Sequence, residues 1–267
     1  MLDFIMQYTN IIGDSLVDMV MGAFYGGYGY RYGYGYGYLS YLVYMLPALC
    51  LGLWAQFKVK STFNKYNKVG NSRNMTGAQI ARMILDNNGL THVRVEQVAG
   101  DLTDHYDPRA EVIRLSTSVY KSTSIGAIGV AAHEAGHAVQ HARGYVPMKL
   151  RSAIIPVCNF GSAFGPGMIL VGCLFAGDFG TKLIFWGIAL FSLVALFQLV
   201  TLPVEFNASR RALNVIRDSG MFVNEDYKGA KKVLSAAAMT YVAALVTTVA
   251  QILYYVTRFL GTGRRND

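Results

Sequence analysis

Charge is scarce in this sequence. Asp, Glu, Lys and Arg make up 15% of its 267 residues, against roughly a quarter in ordinary soluble domains, so a conventional water-soluble globule is not expected. Cysteine is scarcer still. Cys50, Cys158 and Cys173 all fall in apolar stretches, and an odd count there offers neither a disulfide framework nor a thiolate metal site. Acidic residues are outnumbered 16 to 24 by basic ones, for a net charge of +8. In the two basic regions, 58–152 and 203–235, no basic run is interleaved with stacking aromatics, however, so nucleic acid is not an expected partner. The opening residues lack a basic n-region and carry Asp3, Asp14 and Asp18, so no cleavable signal peptide is expected there.

Apolar residues are what the chain has in excess, at 53%. Crossing a hydrocarbon core takes about 20 mostly apolar residues, and four stretches are long enough: approximately 38–57, 153–175, 183–203 and 235–259. The second contains Gly161, Gly165, Pro166 and Gly167, which weaken an isolated helix but are common in membrane helices, where they allow a kink. Basic residues mark the orientation. Thirteen Lys and Arg lie in 58–152 and six more in 203–235, so that nineteen of the 24 share one side if all four stretches span. The positive-inside rule puts that side in the cytoplasm and the N-terminus outside; only Arg264 and Arg265 on the short tail oppose it.

Three regions are expected. Residues 1–37 form an N-terminal segment, with a weakly periodic stretch over 1–24 and the tract YGGYGYRYGYGYGY over 25–38, read as a flexible tail because alternating glycine denies it a packed core. Residues 38–259 form the membrane domain, and 260–267 a tail. Inside the domain, Thr76 is a plausible helix N-cap, with Ile80, Met83 and Ile84 on one face and Gly89 as the stop. THVRVEQV (91–98) and EVIRLS (111–116) flank the turn-rich DLTDHYDPR and read as a β-hairpin. Its edge, residues 111–116, offers a place for an extended peptide to add as a strand. A helix from Ser124 to Ala142 follows, small or apolar on every side, as in a helix buried at the centre of something. The segment 203–220 continues the third span as helix to Gly220, and Asp226 caps the helix that becomes the fourth.

Residues 131–142 read AAHEAGHAVQHA and hold three of the five histidines of the chain. His133, His137 and His141 cannot share one ion on a straight helix, because eight residues rise about 12 Å. Glu134 selects the pair. In H-E-x-x-H the glutamate follows the first ligand, where its carboxylate can take a proton from water beside a zinc ion. His133 and His137 are therefore the expected ligands, Glu134 the expected base, and His141 a supporting residue near the helix end. The longer three-histidine pattern fails, with Gln140 and Arg143 where glycine and histidine are required.

A catalytic zinc takes three protein ligands and one open position, so one ligand must come from elsewhere. Asp101, Asp104, His105 and Asp107 are candidates. Glu205 is the preferred one, because a carboxylate at the end of the third span is stabilised by coordinating a cation; its alternative partner is Arg210 or Arg211.

Several segments carry a resemblance: WAQFKVKSTFNKYNKV, LTDHYDP with VIRLS, HEAGHAVQH, VEFNASRRAL and LSAAAMTYVAAL. Over roughly Tyr41 to Tyr255 the chain resembles the YugP-like neutral zinc metallopeptidases of bacterial membranes, and its order of elements is similar to the membrane gluzincins related to the CAAX prenyl protease. The resemblance implies a single zinc ion on His133, His137 and Glu205 with Glu134 as base. The chain departs from the gluzincins related to the CAAX prenyl protease at Ser209, and from the closer YugP-like family at Asn207, where each tends to have aspartate. Asn207, His141 and His105 are the expected supporting residues around the ligands. His105, Tyr106 and Tyr241 are the groups considered for stabilising an oxyanion.

Together these readings describe a mainly α membrane protein: about four transmembrane helices, with a cytoplasmic α+β metallopeptidase region of a small β-hairpin or sheet plus the HExxH helix. It is expected in the bacterial cytoplasmic membrane, with its active site facing the cytoplasm and a peptide or protein substrate. A catalytically silent zinc-binding scaffold is the alternative. A transporter would want charged or broken helices at mid-membrane, of which the spans offer little.

Overall fold

The computed structural model describes residues 34–175 and 177–260; the expectations for 1–24 and for the first part of the glycine-tyrosine tract lie outside them. In chain order the elements are α1 (Tyr34–Tyr66), α2 (Gly77–Asn87), β1 (Arg94–Val98), β2 (His105–Asp107), β3 (Val112–Ser116), α3 (Thr117–Tyr120), α4 (Ile125–Ala142), α5 (Val146–Leu174), α6 (Asp178–Asp218) and α7 (Asn224–Tyr255). The end of the tract, residues 34–38, is thus the first turn of α1.

Among the described residues four helices are long and apolar enough to cross a membrane: Tyr41–Tyr66, Val146–Leu174, Asp178–Asp218 and Asn224–Phe259. They coincide with the four expected spans but overrun them. The third is 41 residues long, so Glu205 sits inside a continuous helix. Large apolar side chains such as Phe57, Phe179 and Trp186 are left exposed, as on a surface that meets lipid.

Chain contacts divide the described residues into two units. One comprises Trp54–Leu150 with Val200–Tyr241 and contains the sheet, α4 and the second half of α6. Its strand order is β1-β3-β2, which corrects the expected hairpin. Residues 94–98 pair with 112–116 in parallel, and the antiparallel partner of β3 is the short strand His105–Asp107. That strand was concealed by the turn-forming composition around it. The reversal is confined to the residues after Asp107, whose Oδ1 accepts the N–H groups of Arg109 and Ala110. β3 is also the middle strand, with Val112, Ile113 and Leu115 fully buried. Residues 111–116 therefore offer no free edge for an added peptide.

The helix signals fare better. Thr76 and Gln79 form a reciprocal capping box, and Gly89 leaves α2 at φ +72°. The Ser124 hydroxyl accepts the Ala127 N–H at 3.0 Å. Asp226 differs from its expected place: α7 starts at Asn224, and Asp226 reaches back to the Val223 N–H at 3.2 Å while also accepting the Ser72 N–H. It is the third residue of the helix, not its cap. A core of Ile80, Leu85, Ile113, Leu115, Ile128 and Ile216, among others, surrounds α4; every residue of α4 from Ile125 to Gln140 is buried.

The other unit comprises the described residues up to Leu53, Arg151–Leu199 and Val242 onward. Here α5 runs on through Pro156 and Pro166. Gly165 and Gly187 lie back to back: a Cβ on either would sit 3.0 or 2.8 Å from the carbonyl oxygen of the other. The glycines that weaken α5 alone thus serve helix packing, as small residues do in membranes. Ile169, Ile184, Ile188 and Phe191 fill the core around them.

Candidate metal centre

The centre lies between α4 and α6 in the first unit. Helix geometry puts His133 and His137 one turn apart on one face of α4. Their Nε2 atoms are 3.2 Å apart, and the Glu205 Oε2 from α6 lies 3.2 Å from the first and 3.6 Å from the second. An ion with ligand bonds of roughly 2.1 Å in tetrahedral array keeps its ligand atoms about 3.4 Å apart. The observed triangle is of that size. All three residues are buried.

Two helices carrying such groups must approach closely, and Gly136 permits it. A Cβ at that position would lie 2.9 Å from the Ala208 carbonyl oxygen, so a side chain there would push α6, and with it Glu205, away from the histidines.

The hydrogen bonds behind the histidines fix the proton on one of them. Gln140 is fully buried. Its Nε2 donates to the Val204 carbonyl at 2.8 Å and to the Asn207 Oδ1 at 3.0 Å. A carbonyl can only accept, so the other end of the amide, Oε1, is what faces His137 Nδ1 at 3.0 Å. An amide oxygen also only accepts, so Nδ1 carries the proton and Nε2 presents a lone pair to the triangle. On His133 the Ser209 Oγ lies 3.2 Å from Nδ1, again leaving Nε2 toward Glu205. Ser209, four residues after Glu205, thus meets the ring nitrogen of His133 that faces away from the triangle.

Glu134, 4% exposed, is tethered by one oxygen: Oε2 accepts the Tyr106 N–H at 3.1 Å. That amide points off the outer edge of β2, so the unforeseen strand is what positions the glutamate. Below it lies Asp104, fully buried. Burial, reinforced by the charge of Glu134, pushes its carboxyl up to about 6, against the hydrogen bonds from Ser116 that favour the ionised form.

The expected supporting residues are placed as follows. Asn207 acts through Gln140, and its Oδ1 also accepts from Arg211 Nε at 2.8 Å. His141 Nδ1 lies 3.0 Å from the Tyr106 hydroxyl, a phenol that burial holds protonated by raising it to about 12. His105 Nδ1 faces the Thr103 carbonyl and its Nε2 lies near Arg114. Each of these contacts is to a group other than the three of the triangle. Asp107 is paired with Arg114, and Asp101 is exposed; neither joins the group. Gln140 and Ser209 are the contacts that sequence reasoning missed as supports. The available signal was position: Gln140 stands three residues after His137 on the same face of an otherwise apolar helix, and Ser209 stands four after Glu205.

A cavity of about 20 Å³ adjoins the centre, lined by His133, Glu205 and Ser209 on one side and by Val130, Leu234 and Tyr241 among others on the rest. That is room for one water.

Residues 41–260 match the protein family described as "Putative neutral zinc metallopeptidase". Among curated proteins, the chain is similar to the "Putative membrane protease YugP" of Bacillus subtilis (strain 168), with 51% identity over 222 residues, 83% of this chain and 97% of that protein. No solved structure matches it.

Proposed function

The chain belongs to this family of neutral zinc metallopeptidases, and from that premise we propose that it is an integral endopeptidase of the bacterial cytoplasmic membrane with its active site toward the cytoplasm. His133, His137 and Glu205 hold one zinc ion, and Glu134 is the general base. The observation that carries the reading is the triangle of two Nε2 lone pairs and one carboxylate oxygen at ligand-to-ligand spacing.

Zinc bound there supplies a Lewis acid that brings the pKa of water toward neutrality. The protein does the rest. Glu134, held through Oε2 by the Tyr106 N–H, has Oε1 to take a proton from the attacking water and return it to the leaving amine. Gln140 and Ser209 keep both imidazoles turned with Nε2 inward. Tyr241 lines the cavity beside His133 and Glu205 and is the group assigned to the developing oxyanion; the Tyr106 hydroxyl is turned to His141 and His105 to Thr103. With β3 enclosed, an extended substrate cannot pair with residues 111–116, and the outward Tyr106 N–H of β2 is already given to Glu134.

A silent zinc scaffold is the second reading, favoured by the cavity's capacity for a single water. Zinc analysis with casein or self-cleavage assays on wild type and Glu134→Gln separates the two. Zinc in both proteins and cleavage by wild type alone is expected. Equal cleavage by both, or folded protein without zinc, overturns the protease reading, and zinc without cleavage in either supports the scaffold.

A further inference from the structure

Two stripes of lysine face each other across a cleft in the first unit. On α1, Lys58, Ser61, Thr62 and Lys65 recur at steps of three and four and so share one face; on α7, Lys228, Lys231, Lys232 and Ser235 do the same. They line a cleft of about 810 Å³ together with Trp54, Ala236 and Met239. All five lysines are exposed. Among the described residues none of them makes an ion pair, and no acidic side chain lines the cleft. Lys65 rests on the Tyr66 ring at 5.8 Å. Other faces of the same two helices, through Val59, Phe63, Val233 and Leu234, line the cavity at the metal centre.

The positive-inside rule accounts for lysines on this side of the membrane. It does not require that five of them converge on one concavity, where their mutual repulsion is unfavourable without an anion. The cleft is graded. Lys65 and Lys228 stand at the end farther from the apolar stretches of α1 and α7, Lys58, Lys231 and Lys232 lie between, and Trp54 and Met239 stand at the apolar end. A tryptophan at that level is the side chain that favours the membrane interface. A phosphate near the lysines with acyl chains passing Trp54 matches both ends, and basic pockets between membrane helices hold anionic headgroups in this way.

We propose that the cleft between α1 and α7 is a binding site for an anionic phospholipid, its phosphate held by Lys58, Lys231 and Lys232 and its glycerol and first methylenes against Trp54. The site is independent of the catalytic assignment, since no metal ligand or base lines it.

The chain has two tryptophans, so Trp186→Phe leaves Trp54 as the sole fluorophore. Full-length protein of this form is titrated in mixed micelles with brominated phosphatidylglycerol against brominated phosphatidylcholine, reading quenching of Trp54. Each lysine near an anionic lipid surface contributes roughly fivefold. The preference for the anionic lipid should therefore be at least tenfold. Lys58→Gln/Lys231→Gln/Lys232→Gln should bring it within about twofold, whereas the control Lys121→Gln/Lys149→Gln should leave it unchanged. Circular dichroism and the thermal unfolding midpoint confirm that each variant is folded. Inorganic phosphate at millimolar concentration should not restore fluorescence. Equal quenching by the two lipids, a preference that survives the triple variant or is lost in the control, or full displacement by phosphate alone overturns the assignment.

Discussion

Replacing Gln140 with leucine tests whether the hydrogen bond behind His137 governs the proposed zinc site. Leucine fills nearly the same volume, so the cavity cost is small, but three bonds disappear: His137 Nδ1–H to Oε1, and Nε2 to the Val204 carbonyl and to Asn207. Two of the three groups left behind keep a partner. Asn207 still accepts from Arg211, and the Val204 carbonyl lies inside α6, where a helical N–H four residues on can serve it. The His137 Nδ1–H is the group that loses its amide acceptor in a buried setting. That costs about 1–3 kcal/mol unless the ring shifts its proton to Nε2, which then faces the ion and blocks coordination. Loss of such a contact typically lowers metal affinity 10–100-fold. Competition with a fluorescent chelator measures it directly, and cleavage at saturating zinc should recover substantially. Asn207→Ala, which leaves the acceptor on His137 in place, should weaken zinc by less than about threefold. A folded Gln140→Leu protein with unchanged zinc affinity, or an Asn207→Ala protein equally impaired, would refute the tautomer argument.

Other perturbations probe the remaining elements of the site. Glu134→Gln should retain zinc, because the glutamine oxygen can still accept the Tyr106 N–H, while cleavage falls by about 10²–10⁴; fluorogenic casein measures the rate. Glu205→Gln should lower zinc per protein measured by atomic absorption, and unchanged metal would remove it from the ligand set. Gly136→Ala places a methyl 2.9 Å from the Ala208 carbonyl oxygen and should destabilise by about 1–3 kcal/mol, with a parallel loss of zinc, read from thermal unfolding with and without chelator. Asp104 gives a pH signature. Its carboxyl titrates at about 6 in the folded protein against 3.8, so the folded state binds the proton more tightly. Stability from this group is full below pH 4 and is lost as pH rises through 6, by about 3 kcal/mol. Asp104→Asn should flatten the pH 4–7 profile of urea unfolding; an unchanged profile would remove Asp104 as its source.

Sequence alone settled the features that depend on local chemistry. A run of about 20 apolar residues has few places to go but a membrane, so the four long helices were legible. The Thr76 and Ser124 hydroxyls cap their helices through neighbours three residues away, which any reading of the chain can see. That His133 and His137 stand one turn apart on one helix, with Glu134 between them, was legible because such spacing is a matter of periodicity. What needed the tertiary structure depended on groups distant in the chain. The strand His105–Asp107 exists because β3 lies alongside it, and three residues hold too little pattern to overcome a turn-rich composition. Because β3 became the centre of a mixed sheet, the expected edge disappeared. Gln140 acquired its role only when α6 brought Val204 and Asn207 to it. The same packing, through Gly136, set Glu205 Oε2 at 3.2 and 3.6 Å from two atoms some 70 residues earlier. Sequence could nominate Glu205 from the cost of a carboxylate near hydrocarbon, but only the close approach of two helices could form the triangle.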